Sequence, residues 1–302
     1  MIEALELSRD PGTALRCRAH AERFGPAQLI RHENANLLID CGSGVTQRLV
    51  VAGCPGKSLD ALLLTHLHSD HLVDLFQLVI SSWHQGRTKP QRVFGPPGTK
   101  RYVDGLLALW KPELELRIAH ERRPSTAALE IEVVEIAPGQ ELTFGPVSVA
   151  VVEVDHKPVR HAYGFVCSAG GRRIAFSGDT RRCSGLIEAA RGADILVHEV
   201  FIHREMPVIP GVRTAEGVAN VMSYHTVSGE VGKVAREADV GCLALTHFVP
   251  PNFDKAALLN EVKRDFQGPV VVGEDLMTLD ADAGVVDWRG AHLAFGAWPP
   301  AR

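Results

Sequence analysis

The chain alternates short apolar runs with turn residues, and the spacing within those runs changes along its length. "AQLIRHENANLLID" (27–40) places two apolar stretches on either side of Glu33-Asn34, which predicts a β-hairpin followed by the loop "CGSG". "DALLLT" (60–65) is a continuous apolar run of buried-strand length. After His71, residues Leu72, Leu75, Phe76, Val79 and Ile80 recur at helical intervals, so a helix is expected to begin at or just before Leu72. "RVFGPPGTKRYVDGLLALW" reads as strand, Gly/Pro turn and helix, and "LEIEVVEIAPGQELTFGPVSVAVVEVDH" as strands divided by Pro-Gly and Phe-Gly turns. Three later runs, 172–180, 193–200 and 240–248, are strand-like. Between the last two, "VSGEVGKVAREA" has helical spacing, with Thr226 or Ser228 placed to cap it. "REMPVIPGVRTAEG" (204–217) reads as a surface loop.

Four of the apolar runs end in titratable side chains, at His66, Asp179, His198 and His247. Strands that deliver polar groups from their carboxyl ends into shared loops build the usual ligand site of α/β sheets. Two similar α/β halves serving one site are therefore expected, and residues 1–302 are read as a single functional domain. "GPPGTK" (95–100) does not meet the spacing of a nucleotide-binding loop and reads as a strand-to-helix turn.

Composition adds constraints. The chain is 45% apolar and 23% charged, and its formal charge of −4 lacks the basic field of a non-specific nucleic-acid binder. Nucleic acid is not expected as a partner. No apolar stretch approaches the roughly 20 residues that span a bilayer. The start, "MIEALELSRD", lacks a basic-then-apolar leader pattern, so no membrane association and a cytoplasmic location are expected. Six cysteines without a CxxC pair read as plain thiols.

The candidate chemistry lies in "LLLTHLHSDHLVDL" (62–75). Four titratable groups interrupt a run apolar enough to be buried, where bare polar groups cost free energy. Metal binding would compensate them, since neutral imidazole and carboxylate are usual zinc ligands. His66 and His68, two apart in extended backbone, project to the same side, and Asp70 and His71 follow a turn.

These residues, with "LLIDCGSGV", "VDHKPVRHAYGF", "FSGDT", "LVHEV", "YHTVSGEVGKVA" and "LTHF", resemble the metallo-β-lactamase superfamily, in its ribonuclease Z and zinc-dependent arylsulfatase-like branch. The resemblance implies a four-layer αββα sandwich of α/β class and a dinuclear zinc hydrolase acting through a metal-bridging hydroxide. It implies that His66, His68 and His156 bind one zinc, that Asp70, His71 and His247 bind the second, and that Asp179 bridges both. His156 and His161 both lie in "DHKPVRHAYGF", and His156 is favoured because it ends a strand. Resemblance to two ribonuclease Z segments suggests that His225 donates a proton to the leaving group and that Glu199 orients it. Asp70 and His198 complete the expected catalytic set. Iron or manganese would also suit such ligands. The expected substrate is a small-molecule ester (sulfate, phosphodiester, carboxyl ester or lactone), in the manner of the arylsulfatase-like members. The alternatives are a tRNA 3′-end endonuclease, β-lactam hydrolysis and a non-catalytic relative. The stretch 157–178 has no room for the long basic arm usual in ribonuclease Z, which disfavours RNA. Relatives are often dimers, so a homodimer is compatible with the resemblance.

Overall fold

The computed structural model describes residues 23–294. The N-terminal stretch read for a leader, and Cys17, lie outside them. The chain separates into two compact units: Phe24–Ala137, and the residues from Pro138 onward together with Arg23.

In the first unit, β1 (Gln28–His32) and β2 (Ala35–Ile39) form the expected antiparallel hairpin, turning through Glu33. There follow α1 (Val45–Val51), β3 (Ala61–Leu63), α2 (Leu75–His84), β4 (Gln91–Gly95), α3 (Thr99–Glu121) and β5 (Ile131–Glu135). The sheet runs β1-β2-β3-β4-β5 and is parallel from β2 onward. All three residues of the central strand β3 are buried, which is why its sequence is apolar throughout rather than alternating. Helix α2 buries Leu75, Leu78, Val79, Ser82 and Trp83, a stripe of helical period.

That helix starts at Leu75 rather than at Leu72. Ser69–His71 form a 3₁₀ turn instead. The backbone N–H of Cys41 donates to the His71 carbonyl at 2.7 Å, and Asp74 accepts from the Thr46 N–H and hydroxyl at 2.7 and 2.6 Å. These contacts from distant residues outweigh the local helical spacing. Gly42 completes the arrangement: a Cβ there would lie 2.6 Å from the Asp70 carbonyl oxygen, so only glycine lets the two loops meet.

The second unit contains β6 (Glu141–Phe144), β7 (Val147–Glu153), β8 (Tyr163–Ala169), β9 (Arg172–Phe176), α4 (Ser184–Ala189), β10 (Ile195–Phe201), α5 (Ala215–Met222), α6 (Ser228–Glu237), β11 (Cys242–Val249), α7 (Lys255–Lys263) and β12 (Val270–Val272). A small antiparallel sheet follows: β13 (Thr278–Asp280), β14 (Val285–Trp288) and β15 (Ala291–Ala294). The main sheet runs β12-β11-β10-β9-β8-β7-β6, an antiparallel meander up to β9 and parallel beyond it. The sequence run 129–156 is thus divided, with β5 in the first unit's sheet and β6 and β7 in the second's.

One core cluster joins Leu196, Val231, Val234, Leu243, Leu245 and Phe248, while a separate cluster holds Ile195, Cys242 and Ala244. Helix α6 has its apolar stripe where the spacing predicts it, but not its cap. The N-cap is Val227, with no side-chain cap bond, because the Thr226 hydroxyl donates instead to the Thr180 carbonyl at 2.7 Å. The predicted loop 204–217 ends inside α5, which Thr214 caps by accepting from Gly217 N–H at 2.9 Å. Cys41, Cys54, Cys167, Cys183 and Cys242 are all free thiols, and burial pushes Cys167 and Cys242 up to about 12. Among the described residues, no helix is long and apolar enough to cross a membrane.

Candidate functional site

In the first unit, the polar cluster occupies the loop after β3. His66 and His71 are buried and their ring centroids lie 4.2 Å apart, with His66 and His68 at 4.6 Å. Asp70 is exposed, with one carboxylate oxygen 3.7 Å from His71 Nε2. Asp40, at the end of β2, organises this loop. Its carboxylate accepts from the Thr65 N–H at 2.8 Å, from the Thr65 hydroxyl at 2.8 Å and from His71 Nδ1 at 2.8 Å. His66 Nδ1 lies 3.0 Å from the same hydroxyl, which accepts from it. Both rings therefore donate Nδ1–H inward, which makes Nε2 the unprotonated nitrogen of each neutral ring. Asp40 adopts a left-handed φ of 59°, a conformation retained where surrounding bonds over-determine it.

The second unit assembles its cluster from separate segments. His156 follows β7, Asp179 follows β9, His225 precedes α6 and His247 lies within β11. His156, Asp179 and His225 offer ligand atoms within 4.8 Å of one another. His156 Nε2 is 4.0 Å, and His247 Nε2 3.5 Å, from Asp179 Oδ2. His156 donates Nδ1–H to the Tyr224 carbonyl at 2.9 Å, so its Nε2 also remains for a ligand. His161, five residues on, is exposed.

His247 owes its position to a β-bulge. Glu199 pairs with Thr246 and Val200 with Phe248, so His247 is the extra residue between them, at φ 43°. The strand-end expectation holds for Asp179 but needs correction for His247 and His198, both inside strands. His198 is fully buried on the face of β10 that it shares with Leu196, its Nδ1 donating to the Glu199 carbonyl at 2.7 Å. Burial lowers its pKa, against the pull of Glu199 and Asp179.

Glu199 is the hub beside this cluster. Its Oε1 accepts from His225 Nδ1 at 3.0 Å and from the backbone N–H groups of Thr180 and Thr226, each at 3.1 Å. Burial would lower the pKa of His225, but the Glu199 carboxylate overrides it and the net shift is upward. The pair can therefore hold a proton on an imidazole at the edge of the ligand cluster.

In each unit the donor set suits a metal: imidazoles fixed through Nδ1 with Nε2 left over, next to carboxylates, is the usual way ligands are pre-oriented. The His/Asp residues fit a dinuclear metal centre. The sequence singles out these candidate ligands but not the residues that hold them. Asp40 gave a signal only as the acid that closes an apolar run and opens the CGSG loop, Thr65 gave none beyond adjacency to His66, and the Tyr224 carbonyl has no side-chain signature at all.

Residues 35–248 match the family described as beta-lactamase superfamily domain. A protein named ribonuclease Z from Mycobacterium sp. (strain KMS) is 36% identical over 269 residues, covering 88% of this chain and 93% of its own. Ribonuclease Z of Mycolicibacterium gilvum (strain PYR-GCK) is 34% identical over 272 residues, with the same coverage. Among solved structures, the metallo-beta-lactamase fold protein YhfI from Bacillus subtilis superposes with a TM-score of 0.65 at 24% identity, covering 85% of this chain and 91% of its own. The short form of human tRNase Z gives 0.60 at 19%, covering 84% and 91%. At such identities these structures show the metallo-β-lactamase fold, as expected from the sequence.

Two expectations are overturned. The arylsulfatase-like, small-molecule reading gives way because the curated relatives at 34–36% identity are named as ribonucleases. The exclusion of nucleic acid falls with it. The short stretch 157–178 does not set this chain apart, since the match spans 93% of those relatives. Net charge does not exclude an RNA-binding face, because a sum over the whole surface says little about one face.

Proposed function

Because the chain belongs to the beta-lactamase superfamily and is a metal-dependent hydrolase, we propose that it is an endoribonuclease of ribonuclease Z type, cleaving precursor tRNA at its 3′ end. The observation that carries this reading is the similarity to proteins named ribonuclease Z over 88% of the chain. His66, His68 and His156 would hold one zinc ion, Asp70, His71 and His247 the other, and Asp179 both. Two such ions supply a water that ionises near neutral pH and positive charge for the phosphate oxygens.

The remaining roles belong to the chain itself. Asp40 and Thr65 keep His66 and His71 in one tautomer, and the Tyr224 carbonyl does so for His156. His225 gives a proton to the leaving ribose oxygen as the P–O bond breaks, a role supported by its raised pKa and its bond to Glu199. Glu199 holds that ring through Nδ1, which leaves Nε2 as the donating atom. A cytoplasmic location goes with an RNA substrate.

The test is cleavage of a precursor tRNA carrying a 3′ trailer by the zinc-loaded full chain. Cleavage at one position, lost in His225→Ala, is the expected result. An intact precursor alongside steady turnover of a p-nitrophenyl sulfate or of bis-p-nitrophenyl phosphate would sink the ribonuclease reading.

A further inference from the structure

The segment following His156 reads Lys157-Pro158-Val159-Arg160-His161, and three of its five side chains are exposed cations or imidazole. It is a fixed turn. Val159 N–H donates to the His156 carbonyl at 2.9 Å, and Val154 N–H to the Ala162 carbonyl at 3.1 Å closes its neck. The Val159 side chain packs on a small core of Val154, Ala162 and Leu186. The loop is thus anchored by its one apolar residue while Lys157, Arg160 and His161 face solvent.

The nearest acidic group is already taken. Arg181, which follows Asp179 by two residues, forms an isolated bridge with Asp155, and its guanidinium donates to Asp155 Oδ2 at 2.9 and 2.6 Å. Lys157 reaches only that same oxygen, at 3.9 Å. Arg160 has no hydrogen bond or ion pair among the described residues. Several other arginines of this unit differ: Arg172, Arg182, Arg204 and Arg236 each hold a carboxylate. An exposed guanidinium without a counter-ion, on a rigid turn that begins at a metal-ligand histidine, is preorganised for an anion arriving with the substrate.

We infer that the 157–161 loop is a phosphate clamp for the RNA strand beside the scissile bond, with Arg160 as its principal contact. This rests on the ribonuclease reading above. An RNA strand running into the site carries phosphates on both sides of the bond that is cut, and a guanidinium fork binds phosphate in bidentate fashion. Such a contact fixes the register of the strand without reading its bases. It also separates polynucleotides from small esters, which have no second phosphate to offer.

The experiment uses the zinc-loaded full chain and labelled precursor tRNA, with KM and kcat measured over a range of salt for wild type, Arg160→Ala, Arg160→Glu and Lys111→Ala. Lys111, an exposed cation on α3 beside Glu115, controls for bulk charge. Arg160→Ala is expected to raise KM about three- to tenfold and to lower the salt slope by about one, with kcat within about twofold. Arg160→Glu should raise KM further. If wild type cleaves the precursor while Arg160→Ala keeps wild-type KM and slope, or if Lys111→Ala matches its defect, the clamp is overturned and the ribonuclease reading stands. If wild type does not cleave the precursor, both fall.

Discussion

The two units carry their polar clusters in opposite ways. The first packs His66, His68, Asp70 and His71 into one loop and steadies it from one side chain, Asp40, which holds His71 directly and His66 through the Thr65 hydroxyl. The second draws His156, Asp179, His225 and His247 from four segments, and steadies His156 through a backbone carbonyl and His225 through a buried carboxylate. A contiguous cluster needs one well-placed anchor. A dispersed one needs the whole sheet, because each strand and loop must deliver its residue independently.

The sharpest way to break this contrast is Asp179→Ala, which removes the carboxylate that His156 and His247 both approach. Metal content measured by plasma emission should fall, and cleavage should drop by more than the roughly 10- to 100-fold typical of changes beyond the ligands. Glu199→Gln comes next. It keeps the shape of the hub but removes the charge that raises the pKa of His225, so the proton is lost at lower pH. The alkaline limb of the kcat profile should move down in pH, with a loss of about 100-fold above it. An unmoved limb would remove His225 as the proton donor.

The single-anchor description of the first unit is tested by Asp40→Asn, which leaves Thr65 and His71 facing an amide. Metal affinity or activity should fall about 10- to 100-fold, through both rings at once. The smallest effect is expected from Thr226→Val, which removes only the bond to the Thr180 carbonyl. Thermal unfolding should register about 1 kcal/mol and kcat a drop of only two- to threefold, about what one neutral hydrogen bond contributes.

The same contrast explains what could be read from the sequence. The hairpin around Glu33-Asn34, the buried strand at 61–63 and the stripe of α6 are local patterns, and they are visible as such. The dense HxHxDH loop is equally local. The start of α2 was misread because Thr46 and Cys41, far away in sequence, fix Asp74 and His71. The Thr226 cap was misread because its hydroxyl serves Thr180 instead. The break between β5 and β6 was invisible because both flanks are good strands, and only the sheet each joins tells them apart. Substrate class was misjudged because net charge averages over a surface on which an unpaired Arg160 counts no more than a paired Arg236.

The extra residue in β11 is also a change of parity. Side chains along a strand alternate like odd and even numbers, and Leu243 and Leu245 share the odd side. Phe248, an even number, lies in their cluster all the same, while Cys242 and Ala244 lie in the other. The strand miscounts once, at 247. Deleting that one position would restore the count but leave no histidine to spare, and inserting one more would turn Phe248 away from its neighbours. Here the number of residues, rather than their kind, is what the placement of His247 depends on.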